Sequence, residues 1–320
     1  MAEHRLLPPG APAPLAIVGT TASGKSSLAL ALARRRGDVE LVSVDSMQVY
    51  RGMDLGTAKP TVAEQAEVRH HVIDLVDPTE TFDVRRFQVA VADALADIAD
   101  RDRRAVLVGG TGLYLQAVID GFEIPGQFPE VAADLAAEPD TVAMHARLAE
   151  LDPLAAARME PTNRRRVVRA LEVTLGSGRP FSSYGPGVDA YGDTPVRLVG
   201  IRLPGEVIAA RIEARYAEQM ADGFLAEVEA LHAGPPLSRT AAQALGYREL
   251  LAHLDARVAG RDRPTLDEAL DEAVRRTRAF ARRQRAWFRR DPRIAWLDAV
   301  HDPAERLDDL IALADDHWGG

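Results

Sequence analysis

Short apolar runs alternate with helix-periodic segments along the first half of the chain. Short, largely apolar runs at 15–19, 40–44 and 105–109 have the length of buried strands. Between them, 25–36 and 87–100 place apolar side chains every three or four residues, as an amphipathic helix does. Strands that alternate with helices predict a parallel sheet with crossover connections. We therefore expect an α/β fold with a parallel-sheet core.

The strand pattern stops in the middle of the chain. From residue 127 to 175 apolar and Arg positions follow helical spacing, and a turn-rich stretch follows at 176–187. Residues 195–203 are predicted to return to the core as a strand, long helices follow, and 293–297 is the last predicted strand. The predicted organisation is a flexible tail at 1–14, a core from 15–126 and 190–320, and an α-helical insertion domain at 127–189. The sequence GTTASGKS at 19–26, which follows the first predicted strand, predicts that this core is P-loop NTPase-like.

Composition narrows the class of protein. The chain has 320 residues, of which 47% are hydrophobic and 27% charged, as in globular domains. It has no cysteine, which excludes disulfides, thiolate zinc sites and a cysteine nucleophile. No signal-peptide pattern and no membrane-length apolar run is evident, so we expect a cytoplasmic protein without membrane contact. We also expect a monomer. The net charge of -9 does not suggest a nucleic-acid partner, so any such case must rest on local positive charge.

Residues 19–26, GTTASGKS, match the phosphate-binding pattern G-x-x-x-x-G-K-[ST] between an apolar strand and a helix. In such a loop, backbone N–H groups and a helix N-terminus surround phosphate oxygens, a lysine adds charge, and a hydroxyl can hold Mg²⁺. The loop alone does not distinguish a nucleoside triphosphate from another polyphosphate. The residues predicted to bind phosphate are Gly19, Thr21, Ala22, Ser23, Gly24, Lys25 and Ser26, with Ser26 also the predicted metal ligand.

Four further segments follow this loop in order: DSMQVY at 45–50, GTAKP at 56–60, HHVID at 70–74 and VGGTGLY at 108–114. Together they resemble the tRNA dimethylallyltransferases, and the resemblance extends over about 15–297. It implies transfer of a dimethylallyl group from dimethylallyl diphosphate to N6 of the adenine just 3′ of the tRNA anticodon, with Mg²⁺ and release of pyrophosphate. The P-loop would hold the donor's diphosphate.

Three residues are expected to carry the chemistry. An exocyclic adenine amine is a poor nucleophile and needs a proton acceptor, which Asp45 can be; the alternative role of Asp45 is a Mg²⁺ ligand. Thr111 resembles the family residue that donates a hydrogen bond near the donor's bridging oxygen, and it also suits a helix N-cap. Arg215 resembles the family's pyrophosphate clamp, with Arg211 as second choice, although a solvated helix face would explain both. Thr20 departs from the Pro that is common in the family.

Residues 275–290 contain eight arginines and no acid. Five of them recur at helical spacing and form the arginine stripe: Arg275, Arg278, Arg282, Arg285 and Arg289. A single-sign stripe favours phosphate contact over a solvated face, and the RQ and Trp of 283–287 resemble a family pattern. The expected tRNA-contacting residues are Asp45, Ser46, Met47, Gln48, Thr111, Arg165, Arg166, Arg169, Gln243, Gly246, Tyr247, Arg248, Arg278, Arg282 and Arg285.

Other functions remain open on the sequence. A P-loop followed by an Asp after the second strand also suits a small-molecule kinase. A non-catalytic RNA-binding ATPase would need only the loop and the basic stripe, and an enzyme that prenylates free adenine nucleotides would need no basic helix. The four segments taken together with the arginine stripe favour the tRNA-modifying enzyme.

Overall fold

The structure is a computed structural model that describes Leu7 and residues 10–319. The predicted tail at 1–14 therefore lies partly outside the described residues. Two compact units are present: Asp120–Gly192 forms one, and the remainder of the described chain forms the other. The predicted insertion had narrower bounds, 127–189.

The first unit is built on a six-stranded sheet in which every pairing is parallel. The strands lie in the order β3-β2-β4-β1-β5-β6. This confirms the predicted α/β class with a parallel sheet. The strands are β1 (Leu15–Gly19), β2 (Val39–Val44), β3 (His70–His71), β4 (Arg104–Gly109), β5 (Arg197–Arg202) and β6 (Ala295–Asp298).

Helices cover both faces of this sheet, and the second unit contributes four further helices. The helices are α1 (Lys25–Arg36), α2 (Val62–Glu67), α3 (Val84–Ala99), α4 (Gly112–Ile119), then in the second unit α5 (Pro129–Ala137), α6 (Thr141–Leu151), α7 (Pro153–Ala157) and α8 (Arg164–Ser177), and again in the first unit α9 (Gly205–Ala221), α10 (Phe224–Ala233), α11 (Tyr247–Val258), α12 (Leu266–Phe288) and α13 (Leu307–Trp318). None of the helices in the described chain combines the length and apolar character of a membrane span.

The apolar runs form strands because both faces of the sheet are buried. All five residues of β1 are buried, and alternate side chains of a strand point to opposite faces. Leu15 and Ile17 pack in the core that includes α1 and α13, whereas Ala16 and Val18 pack in the larger core with α3, α4 and α9 to α12. The first unit therefore has a core on each side of its sheet.

The second unit has an apolar core of its own. Met144 and Leu148 of α6 pack there with Val167 and Leu171 of α8. At its edge, the Asp152 carboxylate accepts hydrogen bonds from the backbone N–H groups of Ala155 and Ser182. Such bonds to the charged form hold the pKa of Asp152 below its usual range in spite of burial.

The topology brings the carboxyl ends of the strands to one edge of the sheet. The segments that follow β1, β2 and β4 begin at this edge, which is where open α/β sheets bind ligands. These segments are the glycine-rich loop (residues 19–26), the residues from Asp45 to Gln48, and the turn that contains Thr111.

Candidate active site

The glycine-rich loop joins β1 to α1 in a conformation that few residue types adopt. Ala22 and Gly24 have positive φ angles of 61° and 78°. A Cβ added at Gly24 would lie 2.2 Å from the Pro303 ring, so a larger residue does not fit there. Turns of this kind direct backbone N–H groups to one side, where they bind anions. α1 begins at Lys25 with no acid in its first turn, and its N-terminus adds positive potential.

Two arginines of α9 donate hydrogen bonds to residues of this loop. Arg211 Nε donates to Ala22 O at 2.9 Å, and Arg215 Nη1 donates to Thr21 Oγ1 at 2.8 Å. Arg215 Nε is buried and has no acceptor among the described residues. Burial lowers the pKa of Arg215, and Tyr216 and Asp45 partly oppose this. A buried cation with an unused donor is stabilised by a bound anion.

Lys25 adds a third cation at the loop. Its Nζ lies 3.3 Å from Thr20 O. Desolvation lowers the pKa of Lys25 to about 8; the Asp45 carboxylate opposes the shift, whereas Arg215 adds to it. Lys25 is thus held in surroundings that favour its charge only weakly until a negative group arrives.

These groups line one solvent-open pocket of about 180 Å³. Its wall combines loop residues, Asp45 from the end of β2 and both α9 arginines, so the three predicted cations and the predicted proton acceptor meet in one place. Among the described residues, no cluster of three or more His, Cys, Asp or Glu could hold a metal. The lining residues are Thr21, Ala22, Gly24, Lys25, Ser26, Asp45, Gln48, Thr57, Ala58, Val108, Gly109, Arg211 and Arg215.

Asp45 and Gln48 are fixed by local hydrogen bonds. Asp45 Oδ1 accepts from Met47 N at 2.8 Å, which leaves further lone pairs of the carboxylate for a ligand. Gln48 Nε2 donates to the carbonyls of Thr57 and Ala58, at 3.2 and 3.0 Å. Gln48 was expected to contact tRNA; in this structure its amide donors hold the neighbouring loop.

Thr111 directly precedes α4, and its backbone carbonyl accepts from Tyr114 N and Leu115 N. Its Oγ1 accepts from Ser46 N at 3.3 Å, and so ties the turn after β4 to the segment after β2. A hydroxyl that accepts one bond still has a proton to donate. Thr111 is not among the residues that line the pocket in the described chain, although Gly109 is.

A glutamate that the sequence analysis did not single out organises the loop at 54–58. Glu227 of α10 accepts hydrogen bonds from the backbone N–H groups of Asp54 and Leu55, at 3.1 and 2.9 Å, and from Tyr247 Oη. Thr57 and Ala58 of this loop line the pocket. Glu227 therefore shapes the site without lining the pocket. Its backbone partners Asp54 and Leu55 lie 173 and 172 positions away in sequence, so no local pattern could have indicated it.

Comparison with known proteins decides the family. The sequence model of the family described as IPP transferase matches residues 48–291. A tRNA dimethylallyltransferase of Kineococcus radiotolerans is 46% identical over 314 residues, which cover 94% of this chain and 96% of the relative. The chain therefore belongs to the IPP transferase family, which the tRNA dimethylallyltransferases represent here. A tRNA dimethylallyltransferase of Corynebacterium glutamicum is 42% identical over 311 residues, covering 94% of this chain and 99% of that protein.

Solved structures agree with this membership. The full-length tRNA isopentenylpyrophosphate transferase of Bacillus halodurans has a TM-score of 0.70 and 35% identity, covering 96% of this chain and 97% of that chain. A eukaryotic dimethylallyltransferase acting on tRNA has a TM-score of 0.77 and 25% identity, covering 95% of this chain and 79% of that chain. The resemblance carried by the four sequence segments is thereby confirmed.

Within this dimethylallyltransferase chain, the expected RNA contacts at 243–248 divide into exposed and buried groups. Gln243 and Arg248 are exposed, and Arg248 Nη1 donates to Gln243 Oε1 at 2.8 Å. Gly246 is buried, and Tyr247 is 0% exposed, with its ring packed edge-on against Phe224. Tyr247 was expected to contact tRNA, but in this conformation its side chain lies in the core and is not exposed for such a contact.

The arginines of α8 also divide in this way. Arg165 and Arg166 are exposed. Arg169 donates to Glu172 Oε1 and to the carbonyls of Pro125 and Gly126, so it supports the start of the second unit. Arg165 and Arg166 could meet RNA without breaking such bonds, whereas a contact of Arg169 with RNA would compete with them.

The arginine stripe of α12 is less free than its sequence indicates. Arg275 pairs with Glu272, and Arg278 pairs with Glu213 of α9. Arg285 Nη2 donates to Leu203 O at 2.8 Å. By contrast, the side chains of Arg282 and Arg289 are exposed and bond to no other described residue. Arg278 and Arg285 therefore already have partners from other segments, and their contact with tRNA stays a prediction.

Proposed function

We propose that this chain transfers a dimethylallyl group from dimethylallyl diphosphate to N6 of the adenine 3′ of the anticodon in tRNA, with release of pyrophosphate. The observation that carries this proposal is the pocket that joins Lys25, Arg215 and the glycine-rich loop to the Asp45 carboxylate. Relatives at 42–46% identity are named tRNA dimethylallyltransferase, which supports the same reaction.

The donor's diphosphate would lie on the glycine-rich loop. Backbone N–H groups, Lys25 and Arg215 would bind its oxygens, and the forked guanidinium suits two of them at once. Mg²⁺ fits here with the exposed Ser26 hydroxyl as a ligand, because Mg²⁺ is usually held by one or two protein groups together with substrate phosphates. Such an ion would neutralise charge on the leaving group.

In the transfer step, the adenine N6 attacks the allylic carbon of the donor. The C–N bond forms as the C–O bond to the diphosphate breaks, and the electron pair leaves with pyrophosphate. Asp45 would accept the N6 proton, and the Thr111 hydroxyl would donate toward the oxygen that gains charge. Enforced proximity of the two substrates in one pocket would supply much of the acceleration.

The base must leave the stacked anticodon loop to reach Asp45, at a cost of a few kcal/mol. Phosphate contacts from exposed arginines offset this cost, and Arg282, Arg289, Arg165 and Arg166 are the groups available for it. We also propose that the second unit is a tRNA-binding domain. The protein would act as a monomer, since one chain carries every residue named, and it would act in the cytoplasm, where tRNA is found.

Pyrophosphate release separates this function from a kinase. We expect release from dimethylallyl diphosphate that depends on unmodified tRNA, and no comparable hydrolysis of ATP. Hydrolysis of ATP stimulated by a small hydroxylated acceptor, without consumption of the prenyl donor, would instead identify a kinase.

A further inference from the structure

The side-chain amide of Gln284, on α12, joins the two loops of the candidate site. Gln284 Oε1 accepts from Thr21 N in the glycine-rich loop, and Nε2 donates to Gly110 O in the turn before Thr111, both at 2.8 Å. Gln284 is 6% exposed. Resting on the function proposed above, we propose that Gln284 is a positioning residue. It keeps the glycine-rich loop, called the donor loop below, at a fixed distance and orientation from the turn that contains Thr111 during transfer.

The glycines of the turn match this role. A Cβ at Gly110 would lie 2.3 Å from Gln284 Nε2, and a Cβ at Gly112 would lie 2.3 Å from the Trp287 ring. Gln284 and Trp287 are three residues apart and so share a face of α12. Glycine at both turn positions is what allows α12 to approach so closely. α12 therefore contacts this turn through Gln284 and through Trp287. Of these two side chains, Gln284 also bonds the glycine-rich loop.

Thr21 is hydrogen-bonded to both α9 and α12, and these two helices are hydrogen-bonded to each other. Its backbone N–H binds Gln284 of α12, and its hydroxyl binds Arg215 of α9. The next residue of α9, Tyr216, shares a buried hydrogen bond of 2.9 Å with Thr277 of α12. Thr21, α9 and α12 are thus linked to one another by hydrogen bonds. Gln284 connects this network to the turn after β4 through its bond to Gly110 O.

This arrangement affects rate because the reaction uses both loops at once. The cations on the donor loop must hold the leaving group while Thr111 meets the oxygen that gains charge. A misplacement of about 1 Å in such a site can lower a rate about 100-fold. Gln284 touches neither substrate in this account, so it acts only through the two backbone groups that it binds.

The test replaces the amide in two ways. Gln284→Met keeps the size and removes both hydrogen bonds; we expect kcat to fall about 100-fold, with weaker binding of dimethylallyl diphosphate and inorganic pyrophosphate and unchanged tRNA affinity. Gln65→Met is the control, because it also loses an amide bond to a backbone carbonyl, that of Pro60, and neither of these residues lines the pocket. Its kinetic constants should match those of the unsubstituted protein.

Gln284→Glu separates the two bonds. An ionised carboxylate accepts from Thr21 N but cannot donate to Gly110 O, whereas the neutral acid can do both. Its activity relative to the unsubstituted protein should therefore rise as the pH falls, with no such rise for Gln284→Met. This profile tests the idea even if the Met variant does not fold.

Three results are decisive. Wild-type kcat and pyrophosphate affinity in a folded Gln284→Met protein, with only a lower unfolding temperature, would overturn the proposal in favour of a packing role. A pH profile of Gln284→Glu that parallels the unsubstituted protein would overturn it as well. If the unsubstituted protein transfers no dimethylallyl group, the proposed function fails, and wild-type pyrophosphate affinity in the variants then also overturns the role of Gln284.

Discussion

At the scale of single residues, the Asp45 carboxylate is the group on which the transfer chemistry depends. Asp45→Ala removes the proton acceptor but no contact to the diphosphate, so we expect a loss of about 10² to 10⁴ in kcat with donor affinity nearly unchanged. Single-turnover transfer to unmodified tRNA and calorimetric binding of the donor measure the two quantities separately.

Asp45→Asn is the matched control. The introduced amide can still accept the bond from Met47 N, so the local turn should remain and only the charge is lost. A similar loss of kcat in both variants would assign the effect to the carboxylate. Weakened donor binding in both, with tRNA affinity intact, would instead make Asp45 a metal ligand.

Lys25 predicts a pH dependence of donor binding. Its pKa, lowered to about 8 by burial, means that the free protein carries this charge below pH 8 and loses it above. A bound diphosphate raises the pKa again, so binding above pH 8 must take up a proton. Donor affinity should then fall as pH rises through 8, by up to about tenfold per pH unit.

Isothermal titration of dimethylallyl diphosphate from about pH 6.5, below the lowered Lys25 value of about 8, to about pH 10, near the usual Lys value, measures this effect. Lys25→Met should bind the donor weakly at every pH and show a flatter profile. A profile of the variant as steep as that of the unsubstituted protein would assign the proton to another group.

Sequence predicted the pocket better than it predicted its supports. Lys25, Asp45 and Arg215 were each expected from a motif, and the structure brings all three to one pocket. Glu227 and Lys59 were missed, because each acts through contacts that only the folded chain creates; Lys59 Nζ bonds Asp54, Asp74 and a backbone carbonyl. Tyr247 lay within a recognised segment, yet its environment is set by Phe224 and Glu227, which that segment does not contain.

At the scale of elements, strands were predictable where burial is continuous. The run at 15–19 coincides with β1, and that at 40–44 lies within β2, because parallel central strands are apolar on both faces. β3 was not foreseen, since its two residues pair only because Leu41 and Val42 lie beside them. The last strand was expected at 293–297 and is found at Ala295–Asp298, a shift typical of strand ends.

The charge of α12 shows the limit of a one-helix interpretation. The spacing of five arginines could be predicted from the sequence. The acid that pairs with Arg278 could not, because Glu213 lies on α9, 65 positions earlier. We therefore expect phosphate contact chiefly from the two unpaired members. Arg282→Gln with Arg289→Gln should lower the slope of log tRNA affinity against log salt by about 1.4, at about 0.7 per contact with single-stranded RNA.

Arg275→Gln is the matched control, since Glu272 already pairs with Arg275 on the same helix. It should leave the salt slope nearly unchanged. Filter binding or fluorescence anisotropy over a salt series measures both, and donor affinity should stay constant throughout. An equal slope in all three proteins would make the stripe a solvated face and leave RNA binding to other surfaces.

At the scale of the whole molecule, a net charge of -9 restricts where RNA can bind. Repulsion from the acidic surface should confine tRNA to the few places where arginines are exposed and unpaired. On α8 these are Arg165 and Arg166. Replacing both by Gln should weaken tRNA binding and lower the salt slope without changing affinity for dimethylallyl diphosphate.

The control for that pair is Arg179→Gln, an arginine of the same unit that is already paired with Glu123. It should bind tRNA as the unsubstituted protein does. Equal weakening in both variants would indicate a diffuse effect of net charge, and no weakening in either would remove the second unit from the tRNA surface.

The most direct test of the account is the position of the product in the RNA. Purified protein is incubated with labelled dimethylallyl diphosphate, Mg²⁺ and unmodified tRNA transcripts, and the RNA is digested and mapped by mass spectrometry. We predict one dimethylallyl group on N6 of the adenine 3′ of the anticodon, and none on a transcript with guanine at that position. Transfer to both transcripts, or consumption of donor without any label in RNA, would contradict the account.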